Sequence, residues 1–153
     1  MQDQFPTLEK RPFESAAPEN ILPPAPRPTA DILPTGLSNR VAAINSLFNA
    51  ATSNYAALLD ETRRDAAGAA GSKIGSEVWV NAQLVVSRLD DARADAALAQ
   101  SQIDQLMTEQ LDAESRSQDP LLSPLIAPLQ QRIAKTVTAQ NDELERLARQ
   151  IGL

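Results

Sequence analysis

Apolar and small residues recur along the chain in steps of three and four, first at Leu37, Val41, Ile44, Phe48, Ala51, Tyr55, Leu58 and Thr62. That spacing is the seam of an amphipathic helix packed along its length on other helices. Ser38 or Asn39 is the expected cap, because a side-chain oxygen at a helix start accepts an otherwise unpaired N–H. Gly68, Gly71 and Gly75, with Ser72 among them, are expected to end the helix and supply a turn. A second seam follows at Val78, Ala82, Val85, Leu89, Ala92, Ala96, Ala99, Ile103 and Leu106, with an additional apolar line through Trp79, Val86, Met107 and Leu111. A widened stripe suits a middle helix that faces two neighbours. Ala92, Ala96 and Ala99 would let one neighbour approach closely. Ser76 is the expected cap here, and Glu77 suits the positive end of the helix dipole. The third seam runs through Leu125, Leu129, Ile133, Val137, Gln140, Leu144, Leu147 and Ile151. Ser123-Pro124 reads as a cap followed by proline at the first helical position, and Pro128 would delay the regular helix until about that residue.

These patterns predict an all-α fold, an up-down-up antiparallel bundle of three long, coiled-coil-like helices at about 38–67, 76–115 and 124–151. Short connections between long helices force neighbours antiparallel. The bundle occupies residues 37–153, and residues 1–36 form a proline-rich extended arm or linker. Eight of the 11 prolines lie before residue 35, so this stretch lacks backbone donors and favours an extended, polyproline-like chain. A semi-rigid spacer is the preferred reading; at polyproline rise about 35 residues could reach up to ~110 Å. A ligand for a proline-binding groove is a second reading. A third docks the arm on the bundle through Phe5, Leu8, Phe13, Ile21 and Leu22. The oligomeric expectation is a monomer or a helix-swapped dimer opened at the glycine-rich turn.

Composition narrows the chemistry. Histidine and cysteine are both absent, which removes imidazole bases, thiolate nucleophiles and the usual zinc, haem and iron–sulfur ligand sets. The expectation is therefore no catalytic residue, no cofactor and no metal. The net charge of −6, without a basic stripe, makes nucleic acid an unsuitable partner. Carboxylate pairs at Asp60/Glu61, Asp90/Asp91 and Asp142/Glu143 fall on predicted exposed faces near basic residues, so they read as solvated surface. Arg88 with Asp91 and Asp90 with Arg93 are expected helix-surface ion pairs. Ser72-Lys73 is the one adjacent serine–lysine combination, on a glycine-rich turn that offers a nucleophile no scaffold. No phosphate-loop, dinucleotide or nucleophile-elbow motif is present. Trp79 reads first as a plug at the end of the bundle. Its functional alternative is an anchor for a protein partner, with Gln83 beside it one turn on, since tryptophan is enriched at interaction hot spots. The acidic middle helix argues against a membrane-surface helix, which usually carries Lys/Arg on its polar face.

No apolar run approaches the ~20 residues of a spanning helix. The first residues show neither a basic nor an apolar leader segment, so the expectation is a cytosolic protein or a mature domain whose leader was removed. Two stretches carry a family resemblance: Phe5-Pro6-Thr7-Leu8-Glu9-Lys10-Arg11-Pro12-Phe13-Glu14, and Gly75-Ser76-Glu77-Val78-Trp79 continuing through Ala82-Gln83, Ser87, Leu89-Asp90 and Ala92-Arg93. Together they span about a quarter of the chain. The first resembles the opening that follows the leader, and the second the central helix, of small helical lipoprotein-like envelope proteins of alphaproteobacteria. The resemblance implies a periplasm-facing protein tethered to a membrane through a lipidated N-terminal cysteine, and it implies no activity. This sequence contains neither that leader nor any cysteine. The favoured expectation is a non-catalytic structural or protein-interaction module of the bacterial cell envelope with an unidentified protein partner. A cytosolic helical scaffold or adaptor is the second reading. A small-ligand-binding or pericyclic helical enzyme of the chorismate-mutase type is the third.

Overall fold

The computed structural model describes residues 25–153. Among the described residues there are three helices: α1 Thr35–Ala69, α2 Glu77–Ser115 and α3 Ser123–Gln150. Cross-helix bonds define their directions. Arg40 at the start of α1 pairs with Glu109 near the end of α2, and Asp104 of α2 accepts from Gln130 of α3, so both successive pairs run antiparallel. Tyr55 reaches Gln140 and Arg63 reaches Glu143, so α1 and α3 run parallel. The architecture is an all-α, up-down-up three-helix bundle. At ~1.5 Å per residue the 39-residue α2 is about 58 Å long.

The seams define the core. Ile44, Phe48, Ala51, Tyr55 and Thr62 of α1 are buried, with Leu37, Val41 and Leu58 half-buried. Ala96 and Ala99 have no exposed surface, and α1 and α2 make the most extensive helix pairing in the bundle. Removing Cβ branches from this stretch lets the two backbones come close, as the alanine run predicted. Two apolar clusters fill the length. One gathers Phe48, Ile103, Leu106, Ile126 and Ile133; the other gathers Tyr55, Ala66, Leu89, Leu144 and Leu147.

Several expectations need correction at the helix ends. Helix α1 begins at Thr35, so Ser38 and Asn39 lie inside the helix and cap nothing. Pro34 holds the cap position at φ −56° and ψ 148°, and its carbonyl accepts from the Ser38 N–H at 2.8 Å. The earlier start brings Leu37 with Leu33 onto the core, which favours the added turn. Gly68 remains helical, while Gly71 and Gly75 make the turn in the left-handed region at φ +76° and +85°. Ser76 caps α2, its hydroxyl oxygen accepting from the Trp79 N–H at 3.4 Å. Val78, placed on the second seam, is 52% exposed in the first turn of α2 at the bundle's end, and Leu111 is also 52% exposed. In the last turn of α2 the inward position belongs to Glu114.

Helix α3 runs unbroken from Ser123 through Pro128, contrary to the delayed start. Proline removes a backbone donor, but Pro124 lies in the first turn, where that donor has no partner within the helix, and Pro128 is on the exposed face. Ile126, off the predicted seam, is fully buried, while Leu125 and Leu129 are half-buried. Ser123 is the first helical residue and not the cap; the carboxylate of Glu114 takes that role from the preceding helix.

The arm is anchored where it is described. Leu121 N–H donates to the Pro28 carbonyl and Ala30 N–H donates to the Leu121 carbonyl, both at 2.8 Å, forming one parallel bridge between Thr29 and Leu121. These residues are therefore not a free spacer. Phe5, Leu8, Phe13, Ile21 and Leu22 lie outside the described residues.

Candidate interaction surface

Trp79 sits half-buried in the first turn of α2. Its indole Nε1–H donates to the Ile151 carbonyl at 2.7 Å, tying the start of α2 to the end of α3. The polar edge of the ring is thus used within the bundle, in the manner of an end plug. Gln83 is half-buried one turn on, on the same side of the helix. A further turn along lies a groove of about 410 Å³ between α2 and α3, lined by Val86, Ser87, Asp90, Arg93, Leu144 and Ala148, among others. Its floor is apolar and its rim is the Asp90–Arg93 ion pair, 2.8 Å apart. The companion pair expected between Arg88 and Asp91 is absent from the ion pairs among the described residues. Both groups are exposed, and ordering two long solvated side chains gains only about 0–1 kcal/mol.

The adjoining outer face of α2 is more apolar than a solvated helix face needs to be. Val80, Leu84 and Leu98 are 49%, 48% and 48% exposed. Val80 and Leu98 are separated by five full turns at 3.6 residues each, and Leu84 lies close to the same line. Asp91 and Asp95, both exposed, stand on this strip between them. None of the three apolar residues is covered by another described segment.

Of the other predicted carboxylate pairs, some members are engaged in ion pairs and some are solvated. Asp60 lies 3.8 Å from Arg63, and Asp142 and Glu61 are exposed. Glu143 joins Arg146 of its own helix and Arg63 of α1, each at 2.7 Å. The hydrogen bond from Arg146 is the largest influence and burial, which opposes it, the next; the hydrogen bond from Arg63 and the charges of both arginines add to the first and hold the Glu143 carboxyl down at about 2. Tyr55 is buried and its hydroxyl donates to the Gln140 carbonyl at 3.3 Å; burial first, then the charge of Glu143, pushes the phenol up to about 12. The Gln140 Oε1 atom beside this polar layer is buried without a hydrogen-bond partner. Ser72 and Lys73 form part of the α1–α2 turn, where the Lys73 carbonyl accepts from Ser76 N–H at 3.0 Å.

Glu114 is the functional-looking residue that periodicity alone passes over. Its Oε1 accepts from the N–H groups of Leu122 and Ser123 and its Oε2 from the Ser123 hydroxyl, all at 2.7 Å. Burial raises its pKa, but these bonds and one from Gln110 outweigh that effect and leave it below the ordinary carboxylate value. Continuing the Met107 line by seven residues lands on Glu114, and that is the signal that could have found it. Among the described residues no helix is long and apolar enough to cross a membrane. No protein-family model, curated protein or solved structure matches the chain.

Proposed function

We propose that this protein is a non-catalytic structural or interaction module of the bacterial cell envelope, docking a protein partner along the outer strip of α2. The observation that carries the reading is the uncovered line of Val80, Leu84 and Leu98 with Asp91 and Asp95 between them. A partner surface of apolar residues flanked by Lys/Arg fits such a strip. Two copies meeting through the same strip would bring Asp91 and Asp95 against their counterparts, which disfavours self-association there. Trp79 and Gln83 lie beside the strip's first turn, on the α3 side, and would border the same contact.

Among the described residues, the grooves lined by Arg93, Arg40 and Arg132 each hold that single basic side chain, whereas positioning a dianion for a pericyclic reaction needs two or more, which disfavours the pericyclic reading at these grooves. The proline content of the chain before α1 suits tethering, because proline-rich sequence favours a semi-rigid spacer.

Photo-crosslinking groups placed at Leu84 and Leu98 in the source cells test the docking face. One common adduct, lost in an Asp91→Lys/Asp95→Lys variant and not formed from Lys135 on α3, is the expected outcome. An identical adduct from Lys135, or none from α2, overturns it. Intact mass after cell fractionation tests the location. A lipidated species in the membrane fraction supports the envelope, while an unmodified cytosolic protein transfers the reading to a cytosolic scaffold.

A further inference from the structure

Three segments of the chain converge on one residue at the corner where α2 ends and α3 begins. The carboxylate of Glu114 holds the first N–H groups of α3, which have no partner inside their own helix. The backbone carbonyl of the same residue accepts from Arg27 Nη1 of the arm at 2.8 Å, and Arg27 Nη1 also donates to the Ser117 carbonyl at 2.7 Å. A guanidinium at this position adds a charged donor to the Glu114 carbonyl, which also accepts from the Arg116 and Ser117 N–H groups, supplies one to the Ser117 carbonyl, and places positive charge at the negative end of the α2 dipole. Two residues further along, the arm pairs with Leu121 on both its N–H and its carbonyl. Leu33 then packs on the apolar cluster next to Leu37. The connection Arg116–Leu122 is thus gripped from one side by the arm and from the other by Glu114.

We propose that Arg27 and Glu114 form a latch through which the proline-rich arm controls the α2–α3 corner. With Arg27 seated, the corner is closed and the first turn of α3 is held. Withdrawal of Arg27 frees the Ser117 carbonyl, takes the charged donor from the Glu114 carbonyl, breaks the pairing at Leu121 and loosens the Glu114 cap. Residues 114–123 then open as a unit, while the two apolar clusters stay packed. A pull on the arm, or a partner that grips its prolines, would thereby be passed to α3 and not dissipated in the linker. The inference concerns the corner alone and stands whether or not the outer strip of α2 docks a partner.

Native-state hydrogen exchange on the full chain tests it, comparing the native sequence with Arg27→Ala, Arg27→Lys and Glu114→Gln. Arg27→Ala is expected to speed exchange at the amides of Ala30, Leu121, Leu122 and Ser123 together by about tenfold or more, the scale of losing charge-assisted hydrogen bonds. The amides of Ile103 and Ile133 keep their protection. Arg27→Lys, which retains the charge but loses the planar fork, falls between. Glu114→Gln is expected to speed exchange at Ala30 as well as at Leu122 and Ser123, and Ser123→Ala replaces it if that variant does not fold. The latch is overturned if Arg27→Ala affects only Ala30 and Leu121, because the arm is then uncoupled from α3. It is equally overturned if Ile103 and Ile133 accelerate in parallel, because the corner then has no opening of its own.

Discussion

At the residue scale, burial separates side chains that look alike in sequence. Ile103 and Leu98 are both apolar residues of α2, five apart, yet Ile103 has no exposed surface and Leu98 is 48% exposed. Truncating a packed core side chain loses both its transfer free energy and the contacts around the cavity. Ile103→Ala is therefore expected to destabilise the fold by about 2–5 kcal/mol. Leu98→Ala should stay within roughly 0.5 kcal/mol. Urea unfolding of the two variants checks the contrast, and the difference also separates a core position from a docking one. Tyr55 makes a second residue-scale prediction. It is the sole tyrosine, so the phenolate absorbance reports on it alone once the single tryptophan is subtracted. Because its pKa is raised from 10.0 to about 12, the folded state holds the proton more tightly than the unfolded chain. Its contribution is complete below pH 10 and is lost as pH rises from 10 towards 12. An absorbance titration should show no phenolate in the folded protein near pH 10, and Tyr55→Phe should flatten the alkaline limb of stability.

At the element scale, the helices are held together by polar ties at specific heights as well as by apolar seams. The Arg63–Glu143–Arg146 group joins α1 to α3. Glu143 has its pKa lowered from 4.5 to about 2, so the unfolded chain takes up the proton first on acidification. The stabilisation is complete above pH 4.5 and is lost as pH falls from there towards 2. The two arginines are about half exposed, so solvent screening limits the contribution to about 1 kcal/mol or less. Acid unfolding of Glu143→Gln should show a shallower loss over that window, and an unchanged acid limb would show that the group contributes nothing. The predicted seams of all three helices were legible because a period of three and four residues is imposed by helix geometry itself. Their ends were less so. Ser38, Asn39 and Ser123 have the right chemistry for caps, but Leu33 and Leu37 draw α1 back to Thr35, and Glu114 supplies from another helix the acceptor that Ser123 would otherwise provide.

At the scale of the whole molecule, the turn between α1 and α2 governs whether one chain closes its own bundle or exchanges a helix with a second. Gly71 and Gly75 adopt left-handed conformations there, and a Cβ built on either meets nothing within 4 Å. A substitution is therefore strained through the backbone alone, at about 1–2 kcal/mol. Gly75→Ala is expected to leave the helices formed but raise the fraction of swapped dimer, read by light scattering across a concentration series; a purely monomeric variant of undiminished stability would contradict this. The sequence by itself determined the helical class, the number of helices and most of the core-facing positions, since these follow from local periodicity and from proline and glycine placement. It also pointed to Trp79 and Gln83, but not to what surrounds them. Only the tertiary structure decided that the indole N–H is committed to Ile151, that Val80, Leu84 and Leu98 are left uncovered, and that Arg27 and Glu114 meet at one corner. Those outcomes depend on contacts between residues 72 and 87 positions apart, and no short-range pattern records which distant groups the packing of three helices will bring together.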